Sequence, residues 1–181
     1  MKKISFTLAL FVIGLFSASS AEAKTLYVDP NGNDSVTYSN NSASNPWRTI
    51  GRAAWGSTNR SSPNSAEAAK AGDVVSVSGG TYDSTEVVNN RFSPVYNPVN
   101  SGSSGNYVAF TCTGDCTVTA PNANGPVIGS SGRSYIKWFA DVSQGNSWVI
   151  TACGLQSGCG TNIVNTTPDT GPVACHDGTG C

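Results

Sequence analysis

The run Tyr135-Ile136-Lys137-Trp138-Phe139 is the first place where residue types and spacing could do chemistry. Side chains of an extended strand alternate between faces, so turning Ile136 and Trp138 inward leaves Tyr135, Lys137 and Phe139 together outside. A lysine flanked by aromatic rings is a point charge on an apolar platform, and Asp141 is the nearest carboxylate that could help hold a cation. His176-Asp177 is a second group, because histidine titrates near neutrality and an adjacent acid can orient it as a general base. It holds the chain's single histidine and adjoins Cys175, so a structural place is the plainer account. Asp29-Pro30-Asn31-Gly32-Asn33-Asp34 concentrates carboxylates and amides. A helix-loop-helix calcium loop wants glycine at its sixth position and glutamate at its twelfth, where this chain has Asp34 and Asn40, so Asx turns are the better explanation. No Gly-x-Ser-x-Gly elbow, His-Glu-x-x-His pair or phosphate-cradling glycine loop occurs.

The six cysteines, Cys112, Cys116, Cys153, Cys159, Cys175 and Cys181, all lie in the C-terminal half. They form three close pairs around glycine-containing loops, and local pairing is the expectation among about 15 connectivities. The spacings are not the two-residue gaps of zinc knuckles or ribbons, which argues against thiolate metal sites. Disulfides require an oxidising compartment, and the start of the chain provides for one. Lys2 and Lys3 are basic, Ile4 to Phe16 is apolar, and Ala21-Glu22-Ala23 is a small-x-small site, so residues 1–23 read as a signal peptide cleaved before Lys24. The apolar run is too short for a spanning helix of about 20 residues. A secreted product, extracellular or periplasmic and free of the membrane, is expected.

Removing the signal leaves 158 residues, eight basic and ten acidic, a net charge of −2. Arg48, Arg52, Arg60, Arg91 and Arg133 are scattered singly, so no basic stripe suggests a nucleic-acid or membrane-surface partner. The mature chain has two leucines against sixteen valines. Valine is stiff at its first torsion and fits a pleated surface, so this reads as an all-β domain, its short strands joined by Ser, Gly, Asn and Thr turns.

The elements that would position these residues follow in order. Leu26-Tyr27-Val28 is a short strand. Asn45-Pro46-Trp47-Arg48-Thr49-Ile50-Gly51-Arg52-Ala53-Ala54 predicts a short amphipathic helix, with a polar cap before proline at the first helical position. Gly56 to Pro63 is a polar loop, and Ser65 to Lys70 predicts another helical turn capped by Ser65. Val74 to Val77 is a strand, and Ser78-Gly79-Gly80-Thr81-Tyr82 turns the chain. Apolar runs at Val74 to Val77, Tyr107 to Thr111, Tyr135 to Phe139 and Asn162 to Val164 start 33, 28 and 27 residues apart. Smaller strands at Thr117 to Thr119, Val127-Ile128 and Trp148 to Thr151 fall between them, as irregular rungs would give. An immunoglobulin-like sandwich is the alternative.

Tyr27-Val28-Asp29-Pro30-Asn31-Gly32-Asn33-Asp34, Asn45-Pro46-Trp47-Arg48-Thr49-Ile50 and Ala71-Gly72-Asp73-Val74-Val75-Ser76-Val77 with Gly80-Thr81-Tyr82 carry a resemblance. In order, spacing and residue type this set resembles the N-terminal cap of right-handed parallel β-helix proteins of the pectate-lyase-like superfamily. The likeness is specific over Leu26 to Tyr82 and looser to Cys181, with a polar insertion from Trp55 to Ser65. It implies a right-handed parallel β-helix over residues 24–181 with a short N-terminal capping helix covering the open end of the solenoid.

The resemblance also implies activity. Most enzymes of that superfamily cleave acidic polysaccharides by β-elimination, using a base beside the uronate carboxylate and calcium or arginine to neutralise it. No family catalytic motif is matched here, but strand alternation makes outward Lys137 the candidate catalytic residue, with Tyr135 and Phe139 to bind substrate and Asp141, the nearest carboxylate, to bind calcium. The expectation is a secreted polysaccharide lyase, or part of one, acting on uronate-containing glycans. The alternative is a non-catalytic extracellular adhesin or glycan-binding module. No polar closing element precedes Cys181, so the domain is expected to be incomplete at its C-terminal end.

Overall fold

A computed structural model of the chain describes residues 22–85, 93–122, 126–152 and 160–164. Its elements are β1 (Thr25–Val28), α1 (Ile50–Trp55), β2 (Val74–Asp83), β3 (Val108–Ala120), β4 (Ile136–Ala140), a 3-10 turn (Val142–Gln144), β5 (Ser147–Ala152) and β6 (Gly160–Val164). The chain is mostly β, as its valines indicate, and β1 to β5 pair in parallel. Parallel pairing excludes the antiparallel immunoglobulin-like sandwich.

The strands lie in two rows that share β2 and β3. In the first, Leu26, Val75, Phe110 and Trp138 stand in register across β1, β2, β3 and β4, all buried. Phe110 and Trp138 stack at 4.1 Å between ring centroids, and Trp148 meets Trp138 edge-on at 6.0 Å. In the second row Tyr82, Val118 and Ile150 are in register across β2, β3 and β5, again buried. Alternation drives both: β-branched and aromatic residues at every second position fill one interior, while Ser and Thr between them face out.

The rows meet at a corner. The turn expected at Ser78 to Tyr82 does not end the strand; β2 runs through it with a register shift between Ser78 and Gly80. Opposite, Gly114 takes a φ of 105°, and a Cβ there would stand 3.3 Å from the Gly79 Cα, so two backbones pass closely where side chains would obstruct them. Cys112 and Cys116 flank this corner, both fully buried, and are joined by a disulfide. The local pairing expected of these two cysteines is therefore present, while Cys153, Cys159, Cys175 and Cys181 lie outside the described residues.

Three sequence expectations are corrected. The helix does not begin at Pro46. Trp47 is extended and bridges Val28, its N–H donating to the Tyr27 carbonyl (2.9 Å) and its carbonyl accepting from Asp29 N–H (2.8 Å), so α1 starts only at Ile50. Thr49 is its N-cap, accepting from Arg52 N–H, and left-handed Gly56 ends it. The turn expected at Ser65 to Lys70 is opened by Asn64 rather than capped by Ser65, the Asn64 Oδ1 accepting from Ala66 N–H (3.2 Å). Finally, Asn162 to Val164 does not start a parallel rung, because β6 pairs antiparallel with β5. Residues 153–159 leave seven positions between those strands, and a parallel return needs a dozen or more.

Parallel sheets usually carry helices on both faces. Among the described residues α1 is the one α-helix, and it packs at the β1 end, so the outer face of the first row is left open. No described helix is long and apolar enough to cross a membrane.

Candidate functional site

Lys137 stands on that open face. Along β4, Ile136, Trp138 and Ala140 are buried while Lys137 and Phe139 are half-exposed, the alternation expected from sequence. The register places Lys137 beside Ala109, then Val74, then Thr25, and places Phe139 beside Thr111, Ser76 and Tyr27. With only a methyl group beside it, the lysine folds across the row, its Nζ 4.0 Å from the Tyr107 ring centroid. Tyr107 in turn meets Tyr135 edge-on at 5.7 Å.

The local chain explains why both tyrosines are there. Ser103 and Asn106 exchange two backbone hydrogen bonds of 2.9 Å in a tight turn that delivers Tyr107 to the start of β3. Val108 N–H then donates to the Tyr135 carbonyl (3.0 Å), so the two tyrosines precede strands that are in register. Tyr135 is the one large apolar side chain exposed among the described residues, at 44%, and it takes a φ of 56°. A left-handed tyrosine costs about 1–2 kcal/mol, a strain that glycine or asparagine would avoid. The patch is thus one cation over the Tyr107 ring, with Tyr135 edge-on to that ring and Phe139 farther along the same face.

Tyr107 was missed by sequence reasoning. The signal was available: the 28-residue interval between the Tyr107 and Tyr135 runs sets the two tyrosines at equivalent positions.

Asp141 is not drawn into this patch. Its Oδ1 accepts from Ser143 N–H (3.1 Å) and Oγ–H (2.6 Å), and its carbonyl accepts from Gln144 and Asn146, so it opens the 3-10 turn. It makes no ion pair with Lys137; Arg52–Glu67 is the one ion pair among the described residues. No three His, Cys, Asp or Glu side chains gather there as metal ligands. His176 and Asp177 lie outside the described residues.

The conspicuous Asp29–Asp34 turn is structural. Asp29 Oδ1 accepts from Asn31 N–H (2.9 Å) and Asn33 Oδ1 from Ser35 N–H (3.0 Å), the expected Asx turns. Asp34 receives the N–H groups of Arg48 (2.8 Å) and Thr49 (3.0 Å) and the Thr49 hydroxyl (2.8 Å).

A polar cleft of about 620 Å³ lies alongside, lined by Asn33, Asp34, Arg48, Arg52, Gly56 and Thr58. Its buried cation is already committed. Arg52 donates to the carbonyls of Asp34 (3.1 Å), Val36 (3.0 Å) and Glu67 (2.6 Å) and to Glu67 Oε2 (2.7 Å), with its guanidinium over the Trp47 ring at 4.6 Å. Burial pushes the Glu67 carboxyl upward, but the Tyr38 N–H, the Arg52 hydrogen bond and charge and the Lys70 charge outweigh it, leaving Glu67 below its ordinary value. Arg52 thus ties α1 to the segments at Asp34–Val36 and Glu67, whereas Lys137 makes no such set of hydrogen bonds.

No family model, no curated protein and no solved structure matches this chain.

Proposed function

We propose that this is an exported protein whose residues 24–181 form the cap and first coils of a right-handed parallel β-helix, and that it binds acidic polysaccharide on the open face at Lys137. Successive strands repeat after 35, 28 and 32 residues, from Val74 to Ala109 to Lys137 and from Asp115 to Ser147, which supports a coil of irregular rungs. The observation that carries the binding proposal is the Lys137 ammonium 4.0 Å above Tyr107 beside exposed Tyr135. Rings offer an apolar platform to the C–H face of a sugar, and the ammonium, held by the Tyr107 ring, offers a charge to its carboxylate.

The chemistry of this face suits binding better than cleavage. Elimination needs an unprotonated base at the C–H together with a separate cation against the substrate carboxylate. Lys137's neighbours along its row are Ala109, Val74 and Thr25, none of them basic. Calcium takes six to eight oxygens, and Asp141 alone, with one oxygen already engaged by Ser143, does not supply such a site. The residues present therefore do not fit calcium.

The test is affinity electrophoresis of the mature protein in gels containing pectate, alginate, chondroitin or neutral dextran, with parallel assays for unsaturated uronate with and without calcium. Retardation by acidic glycans alone, without unsaturated ends, is the expected outcome. Unsaturated products would establish a lyase instead, and equal mobility in every gel would overturn glycan binding.

A further inference from the structure

Among the described residues Asp73 is the one buried carboxylate, 1% exposed, at the turn that leads into β2. Its Oδ1 accepts from the backbone nitrogen of Lys24 (3.0 Å), and its Oδ2 accepts from the Tyr38 hydroxyl (2.9 Å) and Lys70 N–H (2.8 Å). None of these donors is a side-chain cation, and no side-chain cation lies within ion-pair distance. The two nearby ammonium groups are used elsewhere. Lys24 Nζ donates to the carbonyls of Tyr38 (2.7 Å) and Ser39 (3.0 Å), and Lys70 Nζ lies over the Tyr38 ring at 4.0 Å. Glu67, the other carboxylate facing Tyr38, is paired with Arg52. A buried anion without a counter-charge is costly, so the identity of the group at Oδ1 matters.

That group is the nitrogen of the residue the sequence marks as the first of the exported chain. We infer that signal removal turns the Lys24 amide into an α-ammonium that closes a buried ion pair with Asp73, so that export processing itself completes the cap. Water adds across the Ala23–Lys24 amide; the carbonyl leaves with the signal as a carboxylate, and the nitrogen stays as an ammonium 3.0 Å from its acceptor. The nitrogen is already held in place, because Lys24 O accepts from Val74 N–H (3.0 Å) and β1 begins at the next residue. Glu22 and Ala23 are exposed, so the cut removes no core contact. A charge-assisted hydrogen bond is about twice as strong as a neutral one, and the precursor lacks it. The inference rests on cleavage before Lys24 and is independent of glycan binding.

The test starts from the full chain exported and processed by its host, with the amino terminus established by intact mass. Its melting temperature is compared with that of a form retaining Ala23, each with and without Asp73→Asn. At about pH 7 the processed form should melt about 2–4 °C higher, and Asp73→Asn should abolish the gap. The α-amine ordinarily titrates at about 7.7–8.0, and pairing with Asp73 raises it. The gap is therefore full below about pH 7.7 and lost as pH rises through the raised value. Lys24 Nζ, Lys70, Tyr38 and Glu67 face the same place in both forms and cancel. If Asp73→Asn does not fold, closure of the gap at alkaline pH stands alone as support. A mature chain starting elsewhere than Lys24, no gap, a gap unaffected by Asp73→Asn or a gap independent of pH would each overturn the inference.

Discussion

Arg52→Met should destabilise the protein by about 3 kcal/mol, although it keeps the volume of the side chain. Arg52 is 5% exposed, and the substitution removes donors from three carbonyls and a carboxylate. These losses are unequal. The Val36 carbonyl keeps the Trp47 indole N–H at 2.8 Å, and Glu67 Oε2 keeps the Tyr38 N–H at 2.7 Å. The carbonyls of Asp34 and Glu67 lose their Arg52 donor, at about 1 kcal/mol each beside the cleft. Glu67, whose side chain is 31% exposed, loses its ion pair for about 1 kcal/mol more. For a domain of this size the total corresponds to a melting temperature lower by about 6–12 °C, measured by circular dichroism and checked by urea titration. Glu67→Gln, which retains an acceptor for Tyr38, should cost only about 1 kcal/mol. A loss below about 1 kcal/mol for Arg52→Met would mean that the buried guanidinium does not tie α1 to the segments around Asp34 and Glu67.

Acid should weaken the same pair. Glu67 lies below its ordinary value of 4.5 in the folded state, so its stabilisation is present above that value and is lost as pH falls through the lower folded one. The melting-temperature difference between wild type and Glu67→Gln should therefore narrow between about pH 6 and about pH 3, and a constant difference would contradict this. Replacing Cys112 and Cys116 together by alanine opens a closed loop with a sequence separation of 4 and should cost about 2 kcal/mol in urea unfolding; unchanged stability would show that the corner needs no staple. Tyr135→Gly relieves the strain of a left-handed φ of 56° and should leave stability unchanged or up to about 1 kcal/mol higher while weakening glycan retention severalfold. A destabilisation above about 1 kcal/mol would mark the ring as structural.

What the sequence made legible was local and periodic. Ile136 and Trp138 inward, Lys137 outward, and valine at every second position of Val75 and Val77 follow from a period of two and needed no tertiary information. The missed features arise between distant segments. Asn45-Pro46 carries good helix-start chemistry, yet Trp47 is drawn into a bridge with Val28, and the ladder outweighs the cap. Arg52 reads as a polar position on a short helix, but Asp34, Val36 and Glu67 surround it from outside that helix. Asn162 to Val164 has strand composition that suits either direction, and the short connection decides for a hairpin. Asp141 was placed with Lys137 by proximity in sequence, whereas a serine two residues on takes its carboxylate. Tyr107, 30 residues before Lys137, becomes its neighbour only when the strands stack.

Glycan binding at Lys137 is tested most directly by calorimetric titration of residues 24–181 and of the Lys137→Gln variant with an acidic oligosaccharide that retards the wild type. The glutamine variant should fold as stably as the wild type, because Lys137 is half-exposed and its stacking on Tyr107 contributes about 1 kcal/mol or less. Its affinity should fall about tenfold, the equivalent of about 1.4 kcal/mol, with a shallower salt dependence. Equal affinity and equal salt dependence in the two proteins would contradict the assignment of Lys137 to the binding face.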